Sequence, residues 1–311
     1  MAPSPLVSVI VPAFDATATL AETLHAALAQ EDVTQEILVV DDGSRDGTAA
    51  LVEAFPPPVR LIRQANQGVG AARNRALAEA RGRYVAFLDA DDVWEPDKLR
   101  RQLEALARQQ CGLCYTGVTL IDEQGRPVPD VPWSRDDQRP EGWVFRELLF
   151  DGNALATSAV LVERRRLEQV GPFVTDRGVS EDYEMWLRLA RVTCFCYVPR
   201  PLLRYRIARE SFSHGDPVAA HRRCLAAVEL AARRARLVDP ADDRRLRQRR
   251  ARILFELAYT LRNHGQRDEA ARWLLRSLGT WPLAPRTVLA LLALLAPSPV
   301  QRGLDRLRGR P

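Results

Sequence analysis

Residues 81–99, RGRYVAFLDADDVWEPDKL, decide the fold of this chain. Residues 84–88 form a short apolar run rich in aromatic and branched side chains, which predicts a buried strand. Asp89, Asp91 and Asp92 follow at once, and carboxylates this close repel one another unless a cation or hydrogen-bond donors compensate them. Two interpretations follow. The cluster is a divalent-metal site shared with a substrate phosphate, or it is an acidic turn in which Asp92 caps the next helix.

The composition is that of a soluble globular protein with an uneven charge distribution. The 311 residues give room for one large domain or two modest ones, and 46% are hydrophobic and 27% charged. Residues 1–199 carry 21 basic and 30 acidic side chains, whereas residues 200–311 carry 24 and 10. An acidic front and a basic tail indicate different tasks and different partners for the two parts.

The cysteines and the apolar runs bear on the cellular location. The five cysteines include a CxxC (Cys111, Cys114) and a CxC (Cys194, Cys196), but no second pair at a zinc-site spacing lies near either motif. We therefore expect buried free thiols in a reducing compartment. The first ten residues do not have the pattern of a signal peptide, and no run approaches the roughly 18 apolar residues of a membrane span. These features predict a cytoplasmic protein.

Strands and helices alternate along the first hundred residues. Apolar runs at 6–11, 36–40, 59–63 and 84–88 predict buried parallel strands, with helical patterns between them. This alternation is typical of a parallel α/β sheet flanked by helices, and ligands of such sheets bind at the carboxyl ends of the strands. The first strand is followed by PAFDATATL, which lacks glycine, so a dinucleotide-binding GxGxxG site is disfavoured.

Two strand-end loops carry candidate binding residues. Asp41 and Asp42 precede a Gly-Ser turn and suit hydrogen bonds to a base edge or a ribose, although a plain Asx turn explains them equally. In NQGVGAARN (66–74), Gly68 and Gly70 would allow the backbone to approach a ligand closely, with Arg73 facing it near a helix N-terminus.

Four of these segments together resemble a known family. VSVIVPAFDATATL (7–20), ILVVDDGSRDGT (37–48), NQGVGAARN (66–74) and VAFLDADD (85–92) occur in the order and spacing of the nucleotide-sugar-binding half of family 2 glycosyltransferases. The resemblance implies the GT-A fold, a Rossmann-like and mostly parallel sheet flanked by helices. It covers about residues 6–213.

The resemblance also implies roles for individual residues. In the DxD motif, Asp91 would meet a divalent metal, Mn²⁺ or Mg²⁺, and Asp89 would support the metal and the sugar-nucleotide. Asp15 departs from the family, whose members commonly carry Asn there. The residues implied to bind the donor are Pro12, Ala13, Phe14, Asp15, Asp41, Asp42, Asn66, Gly68, Arg73, Asn74, Asp89 and Ala90.

A second carboxylate pair opens the helix of VSEDYEMWLRL (179–189). Ser180 suits a helix cap and acids suit a first turn, so a purely structural interpretation is available. The match of GPF…EDYEMWLRL to the acceptor-side motif of the family implies instead that Asp182 is the general base, with Glu181 as its neighbour. Trp186 and Leu189 are predicted to pack the helix onto the sheet.

The remaining site segments are less complete. Thr157 and Ser158 are positioned to line a cleft. In the closing segment 202–213, Ala208 falls where relatives often have a metal-binding histidine. The protein then relies on Asp91 and the donor diphosphate, or recruits His214, although a histidine in such a loop is more often only solvated.

From residue 218 the chain is predicted to be helical, which gives an all-α C-terminal extension. We expect a catalytic domain at 1–215 and a basic helical region at 216–311 that contains one tetratricopeptide-like hairpin. Residues 287–296 are too short to span a bilayer and form either a buried helix or an interfacial membrane helix. Nucleic-acid binding is disfavoured because the arginines lack interleaved aromatic residues or a recognition module.

The sequence therefore predicts an inverting, metal-dependent glycosyltransferase. It would move a sugar from a nucleotide donor, UDP-linked by analogy with the family, to a hydroxyl of a saccharide or lipid-linked acceptor. Its location would be the cytoplasm, or the inner face of the membrane if the tail contacts lipid. The alternative is a catalytically silent relative that binds nucleotide-sugars, or a scaffold that acts through its helical tail.

Overall fold

The computed structural model describes residues 5–129, 139–207, 216–235, 239–282 and 284–295. The described residues divide into two units. The first contains a mixed sheet and its flanking helices, and the second contains the helices from Pro217 onward together with Leu149–Asp151 and Gly178–Ser180. The predicted boundary between residues 215 and 216 adjoins a stretch outside the described residues and stays a prediction.

The first unit alternates strands and helices. Its elements are β1 (Val7–Ala13), α1 (Leu20–Leu28), β2 (Gln35–Asp41), α2 (Thr48–Glu53), β3 (Val59–Arg63), α3 (Val69–Glu79), β4 (Tyr84–Phe87), β5 (Val93–Trp94), α4 (Lys98–Gln109), β6 (Leu113–Ile121), α5 (Phe145–Phe150), a 3₁₀ turn (Thr157–Ala159), β7 (Leu161–Glu163), α6 (Arg164–Val170), α7 (Glu181–Leu189) and β8 (Phe195–Arg206).

The eight strands of the described chain form one sheet in the order β3-β2-β1-β4-β7-β6-β8-β5. β1 pairs in parallel with both β2 and β4, with Val9 opposite Ile37 on one side and Ala86 on the other. The strand order reverses around β1, and in open α/β sheets ligands bind at such a reversal, beyond the carboxyl ends of the strands. This topology directs the aspartates that follow β2 and β4 toward the same edge of the sheet.

The core of the sheet explains why its strands are apolar throughout. β1 and β4 are buried along their whole length because helices cover the sheet. Trp186 of α7 is fully buried against Phe87 and Phe173, with ring centroids 5.8 and 6.4 Å away. Leu189 is also fully buried. The prediction that α7 packs onto the sheet is confirmed for Trp186, which contacts Phe87 of β4, and the burial of Leu189 agrees with it.

Asp92 does not cap a helix. α4 begins at Lys98, and the two-residue strand β5 lies between it and the aspartates. The Oδ1 atom of Asp92 instead accepts the backbone N–H of Arg206 at 2.9 Å. The capping interpretation of Asp92 is therefore wrong, because the chain re-enters the sheet as β5 before it turns into the helix.

The cysteines are also arranged differently from the prediction. Cys111 and Cys194 form a disulfide that joins the approaches to β6 and β8, 83 residues apart. Cys114 and Cys196 are opposite each other in the register of these strands and remain buried free thiols. The expectation of free thiols throughout is wrong for the disulfide pair, whose partners belong to different strands.

The second unit consists of helices in the described residues. They are α8 (Pro217–Ala235), α9 (Pro240–Asn263), α10 (Arg267–Thr280) and α11 (Pro285–Leu295). α9 and α10 form a helical hairpin, in which Leu257 and Leu261 pack against Ala270 and Leu274; its tetratricopeptide-like character stays a prediction. Among the described helices, none combines the length and the apolar character that a bilayer-crossing segment requires.

Candidate active site

Arg73 is the centre of a buried charged cluster. Its guanidinium donates from Nη2 to Asp89 Oδ1 and from Nη1 to Glu181 Oε1, each at 2.7 Å. The side chain is only 3% exposed. Burial alone would lower the pKa of Arg73, but Asp89 and Glu181 raise it on balance, so the side chain remains charged. Arg73 thereby joins the loop after β4 to the first turn of α7.

The loop after β4 holds the three predicted carboxylates close together. Burial first, and the neighbouring Asp89 second, raise the pKa of Asp91 to about 6. Burial together with Asp91 and Asp89 raises the pKa of Asp92 well above its ordinary value. These carboxylates are under-compensated, which is the electrostatic condition that favours a bound cation. The carbonyl of Ala90, in the middle of the motif, accepts hydrogen bonds from two threonines of the α1 region.

Arg206, at the end of β8, fixes the backbone of this loop. Its Nε donates to the carbonyl of Asp91 at 2.8 Å, and its Nη2 contacts Glu22 of α1 at 2.7 Å. Its Nη1 reaches the carbonyls of Asp122 and Glu123. Arg206 is a site residue that the motifs leave without a role, because most of its partners are main-chain oxygens that no sequence pattern records.

The acceptor-side carboxylates adjoin the same cluster. Asp182 Oδ2 accepts a hydrogen bond from the hydroxyl of Thr157 at 3.0 Å. Burial and the neighbouring Asp182 raise the pKa of Glu181, and Arg73 opposes that rise. One chain of contacts therefore joins the DxD aspartate Asp89 to the pair at the start of α7.

Thr157 and Ser158 do not line an open cleft as predicted. Both are buried in the 3₁₀ turn, with exposures of 5% and 0%. Ser158 Oγ accepts the backbone N–H of Asp89 at 3.0 Å. The two hydroxyls are buried and form hydrogen bonds with the predicted site residues Asp89 and Asp182.

Asp41 and Asp42 are held within the protein at the end of β2. Asp42 accepts from Gln64 Nε2 and from the backbone N–H groups of Gln67 and Gly68, at 2.7 to 2.9 Å. Asp41 accepts the N–H of Ser44, three residues further on, at 2.9 Å, so its side chain closes the turn after β2 with a loop one residue wider than an Asx turn. Both side chains are less than 5% exposed. Any contact that they make with a donor is additional to these bonds.

The departure at Asp15 has a local explanation. Its φ is +47°, in the left-handed region that Asn and Asp tolerate. Its Oδ1 accepts the N–H of Arg45 at 2.7 Å, so the protein supplies the donor that the extra carboxylate requires. Phe14 beside it is 48% exposed, whereas Pro12 and Ala13 are buried within β1. Phe14 and Asp15 are thus the exposed residues of the stretch 12–15.

The glycines of the third motif make room for the chain itself. A Cβ on Gly70 would lie 2.5 Å from the carbonyl oxygen of Val174. A Cβ on Gly68, where φ is +91°, would lie 3.1 Å from Arg177 Nε. The close approach that the sequence predicted is therefore to residues 174–177 in this structure.

The two asparagines of that motif contact the same segment. Asn74 Nδ2 donates to the carbonyl of Phe173 at 2.9 Å, and Asn74 Oδ1 accepts the Phe173 N–H at 2.8 Å. Asn66 Oδ1 accepts from Arg177. These contacts hold the turn before α7 against α3, so the motif also has a structural function.

Two predicted positions of the metal site, Ala208 and His214, lie outside the described residues. Within the described residues, no three or more His, Cys, Asp or Glu side chains are grouped so as to hold a metal.

A surface pocket lies away from this cluster. It is lined by Arg81, Arg83, Glu163 and Arg164 among others, near the amino ends of β1 and β4. The carboxylate cluster lies beyond the opposite end of β4. This basic pocket takes no part in the candidate site, because the sheet separates it from the aspartates.

Comparison with known proteins places the chain in a family. Residues 8–153 match the model of "Glycosyl transferase family 2". TuaG of Bacillus subtilis (strain 168), whose name assigns it to teichuronic acid biosynthesis, is 32% identical over 222 residues, which are 70% of this chain and 84% of TuaG. The succinoglycan biosynthesis protein ExoO of Rhizobium meliloti (strain 1021) is 43% identical over 126 residues, which are 40% of this chain and 36% of ExoO.

Solved structures show the same fold. TarS of S. aureus (residues 1–349), crystallised with UDP-GlcNAc, superposes with a TM-score of 0.66 at 19% identity over 92% of this chain and 84% of that one. The mannosyltransferase PcManGT of Pyrobaculum calidifontis, in complex with GDP-Man and Mn²⁺, gives 0.58 at 22% identity over 97% and 83%. The predicted GT-A fold with a helical C-terminal region is confirmed.

The similarity to TuaG and to the family model identifies the class of this protein as a glycosyltransferase. The chain belongs to glycosyltransferase family 2. The resemblance drawn from the four sequence motifs is thus confirmed.

Proposed function

We propose that this chain is an inverting glycosyltransferase that uses a nucleotide-sugar, UDP-linked, and a hydroxyl acceptor on a saccharide or lipid-linked molecule. The observation that carries the proposal is the pair of 2.7 Å bonds from Arg73 to Asp89 and Glu181. They bring the donor-side motif and the acceptor-side motif, which are far apart in sequence, to one buried point. A transferase needs the donor and the acceptor hydroxyl at such a point.

The donor class is supported by the structural neighbours. TarS is shown with UDP and with UDP-GlcNAc, and PcManGT with GDP-Man. All three molecules are nucleotides or nucleotide-sugars with a diphosphate. We propose that the donor of this chain is held at the loops after β1, β2 and β4, where Phe14 is exposed and the DxD carboxylates lie.

The residues of the DxD loop fit a divalent metal, Mn²⁺ or Mg²⁺. Such ions are commonly held by one or two carboxylates plus substrate phosphates. A metal site at this loop therefore does not require a larger group of protein ligands within the described residues. Asp91 and Asp89 would hold the ion; burial first, and the neighbouring Asp89 second, raise the pKa of Asp91, and a bound cation would stabilise its ionised form. When bound, the ion would neutralise negative charge on the diphosphate as it leaves.

The acceptor step is assigned to Asp182. Its carboxylate takes the proton of the acceptor hydroxyl while that oxygen forms a bond to the anomeric carbon. The bond between that carbon and the diphosphate oxygen breaks on the opposite face, and the electron pair leaves with the nucleotide diphosphate. Glu181 stays paired with Arg73, which orients the first turn of α7.

Two substitutions test this proposal. With the active donor of a nucleotide-sugar panel and Mn²⁺ or Mg²⁺, Asp91→Asn is expected to abolish metal-dependent UDP binding, since it removes the proposed metal ligand. Asp182→Asn is expected to keep UDP binding and to lower transfer by about 10²-fold or more, because the base is lost. Isothermal titration calorimetry measures binding, and nucleotide release measures turnover. Full transfer by Asp182→Asn would remove the base assignment.

The same experiment separates the alternative. A catalytically silent relative would bind UDP with metal and release no nucleotide from any donor. A scaffold would do neither. No thermal shift with UDP plus metal, together with no release, would therefore overturn the enzyme proposal altogether.

We further propose a cytoplasmic location with contact between the helical unit and an anionic membrane surface. Val288, Leu289 and Leu292 are 39 to 60% exposed on α11, whereas Ala290 on the other face is buried. Positions 288, 289 and 292 lie on one side of a helix. The excess of basic residues in 200–311 provides the charge complement to anionic lipid.

A further inference from the structure

The 3₁₀ turn Thr157–Ala159 touches both halves of the candidate site. Thr157 Oγ1 donates to Asp182 Oδ2 at 3.0 Å. The next residue, Ser158, accepts the backbone N–H of Asp89 on its hydroxyl at 3.0 Å. Adjacent hydroxyls therefore contact the proposed base and the donor-side motif separately.

The turn is itself fixed from behind by buried polar side chains. Trp94 Nε1 donates to the carbonyl of Ser158, and Gln102 Nε2 donates to the carbonyl of Ala159, each at 2.8 Å. Gln102 also reaches the carbonyl of Cys114 at 3.0 Å, which anchors it to β6. The turn therefore has a defined position relative to the sheet, as a positioning element requires.

Lys98, the sole lysine of the chain, completes this support. Its Nζ donates to Gln102 Oε1 at 2.8 Å and lies 4.1 Å from the centroid of the Trp94 ring. Burying an ammonium group completely is costly. The ammonium group of Lys98 contacts Gln102 and Trp94, the two side chains that hold the 3₁₀ turn. The free-energy cost of burying Lys98 is therefore linked to the position of this turn.

We propose that Thr157 and Ser158 are positioning residues with separate tasks. Thr157 orients the carboxylate of Asp182 toward the acceptor hydroxyl. Ser158 fixes the backbone position of Asp89 beside the donor. This rests on the proposed function of the same site. Because the two residues are adjacent on one turn, they tie Asp182 and Asp89 to each other directly, in addition to the Arg73 bridge between Asp89 and Glu181.

The two tasks predict effects on different kinetic quantities: the turnover number for Thr157 and the donor affinity for Ser158. Thr157→Val keeps the shape of the side chain and removes the hydroxyl, so kcat is expected to fall roughly tenfold, a part of what a general base contributes. The affinity for UDP plus Mn²⁺ should stay within about twofold of wild type, because nothing at the donor changes. Thr157→Ser, which retains a hydroxyl, should recover most of kcat.

Ser158→Ala should act on the other side. It leaves the Asp89 N–H without its acceptor, so the affinity for UDP plus Mn²⁺ should weaken by about fivefold or more. Its kcat at saturating donor should change less than that of Thr157→Val. A residue that only maintains the fold would lower both quantities together.

The test uses the full-length protein and the active donor of the panel, with kcat and donor KM from nucleotide release and UDP–Mn²⁺ affinity from calorimetry. Melting temperatures identify variants that do not fold. The proposal is overturned if Thr157→Val keeps the wild-type kcat, or if both variants lose kcat and affinity in equal proportion. If wild type releases no nucleotide, the proposed function has failed instead, so the two failures are distinguishable.

Discussion

At the scale of single residues, the site depends on the geometry of one guanidinium. Arg73 satisfies two carboxylates that approach it from different elements. A planar fork with several donors can do this, whereas the ammonium of lysine is a point charge on a flexible stem. The identity of the residue, and not only its charge, is therefore required at this position.

Arg73→Lys should consequently destabilise the protein. One of the two carboxylates would lose its partner in a buried place, which we expect to cost about 2–4 kcal/mol in the free energy of unfolding. Urea unfolding of the variant measures this. Arg75→Lys is the matched control on the same helix, because Arg75 is 53% exposed and its ion-pair partner within the described chain is Glu79. Its effect should lie within about 0.5 kcal/mol, and an Arg73→Lys variant that matches it would contradict the role given to Arg73.

The residues predicted from sequence and those found only in the structure differ in their partners. The sequence motifs contain Asp89, Asp91, Glu181 and Asp182, so residue type and spacing are enough to predict them. The structure adds a role for Arg206, which acts mainly through main-chain oxygens, and replaces the predicted cleft-lining role of Thr157 with a contact to Asp182. Such contacts depend on how the strands are ordered, which local periodicity does not record.

At the scale of elements, the apolar runs predict the long parallel strands well and the short ones poorly. β3 has the predicted bounds, and β1 continues through Pro12 to Ala13. β5 and β7 have two and three residues, too few for a pattern to repeat. Their pairing is antiparallel to β8 and β4, and it is β7 that joins the two halves of the sheet.

Helix α4 contains a feature that composition obscured. Lys98 is the single lysine among 45 lysine and arginine residues, and this composition alone suggests no function for it. In the structure, however, Lys98 is fully buried. Burial lowers its pKa to about 7. Lysine in an unfolded chain titrates near 10.4, so between these pH values the unfolded state binds more protons than the folded state. Lys98 therefore makes the folded state more stable as the pH rises.

Lys98→Met should remove that pH dependence. From pH 7 to pH 9, the free energy of unfolding of wild type should rise relative to the variant by roughly 2 kcal/mol. Urea unfolding at both pH values measures the difference. Arg108→Met, at an exposed position of the same helix, should follow wild type at both. A constant gap between wild type and Lys98→Met would show that Lys98 titrates normally.

At the scale of the whole molecule, the charge asymmetry of the sequence has its counterpart in two units. The acidic front supplies the carboxylates of the site, and the basic helical unit carries an apolar face on α11 that the described chain leaves exposed. Of the two sequence interpretations of residues 287–296, the interfacial membrane helix stays a prediction, and the described positions show one buried side and one exposed side. Ala290 is buried in the helical core, while Leu289 and Leu292 are turned outward.

An exposed leucine pair on a basic helical unit should bind an anionic bilayer. We expect the full-length protein to float with vesicles made of equal parts phosphatidylglycerol and phosphatidylcholine, and to float poorly with phosphatidylcholine alone, because the charge attraction is then absent. The double variant Leu289→Asp and Leu292→Asp should bind at least about tenfold more weakly, since each buried leucine side chain contributes roughly 1.5–3 kcal/mol. Trp143→Asp is the control, because Trp143 is 67% exposed but lies in the first unit. Equal flotation of the double variant and wild type would show that α11 does not contact lipid, whereas equal binding to both vesicle types would show that the basic residues do not direct the contact.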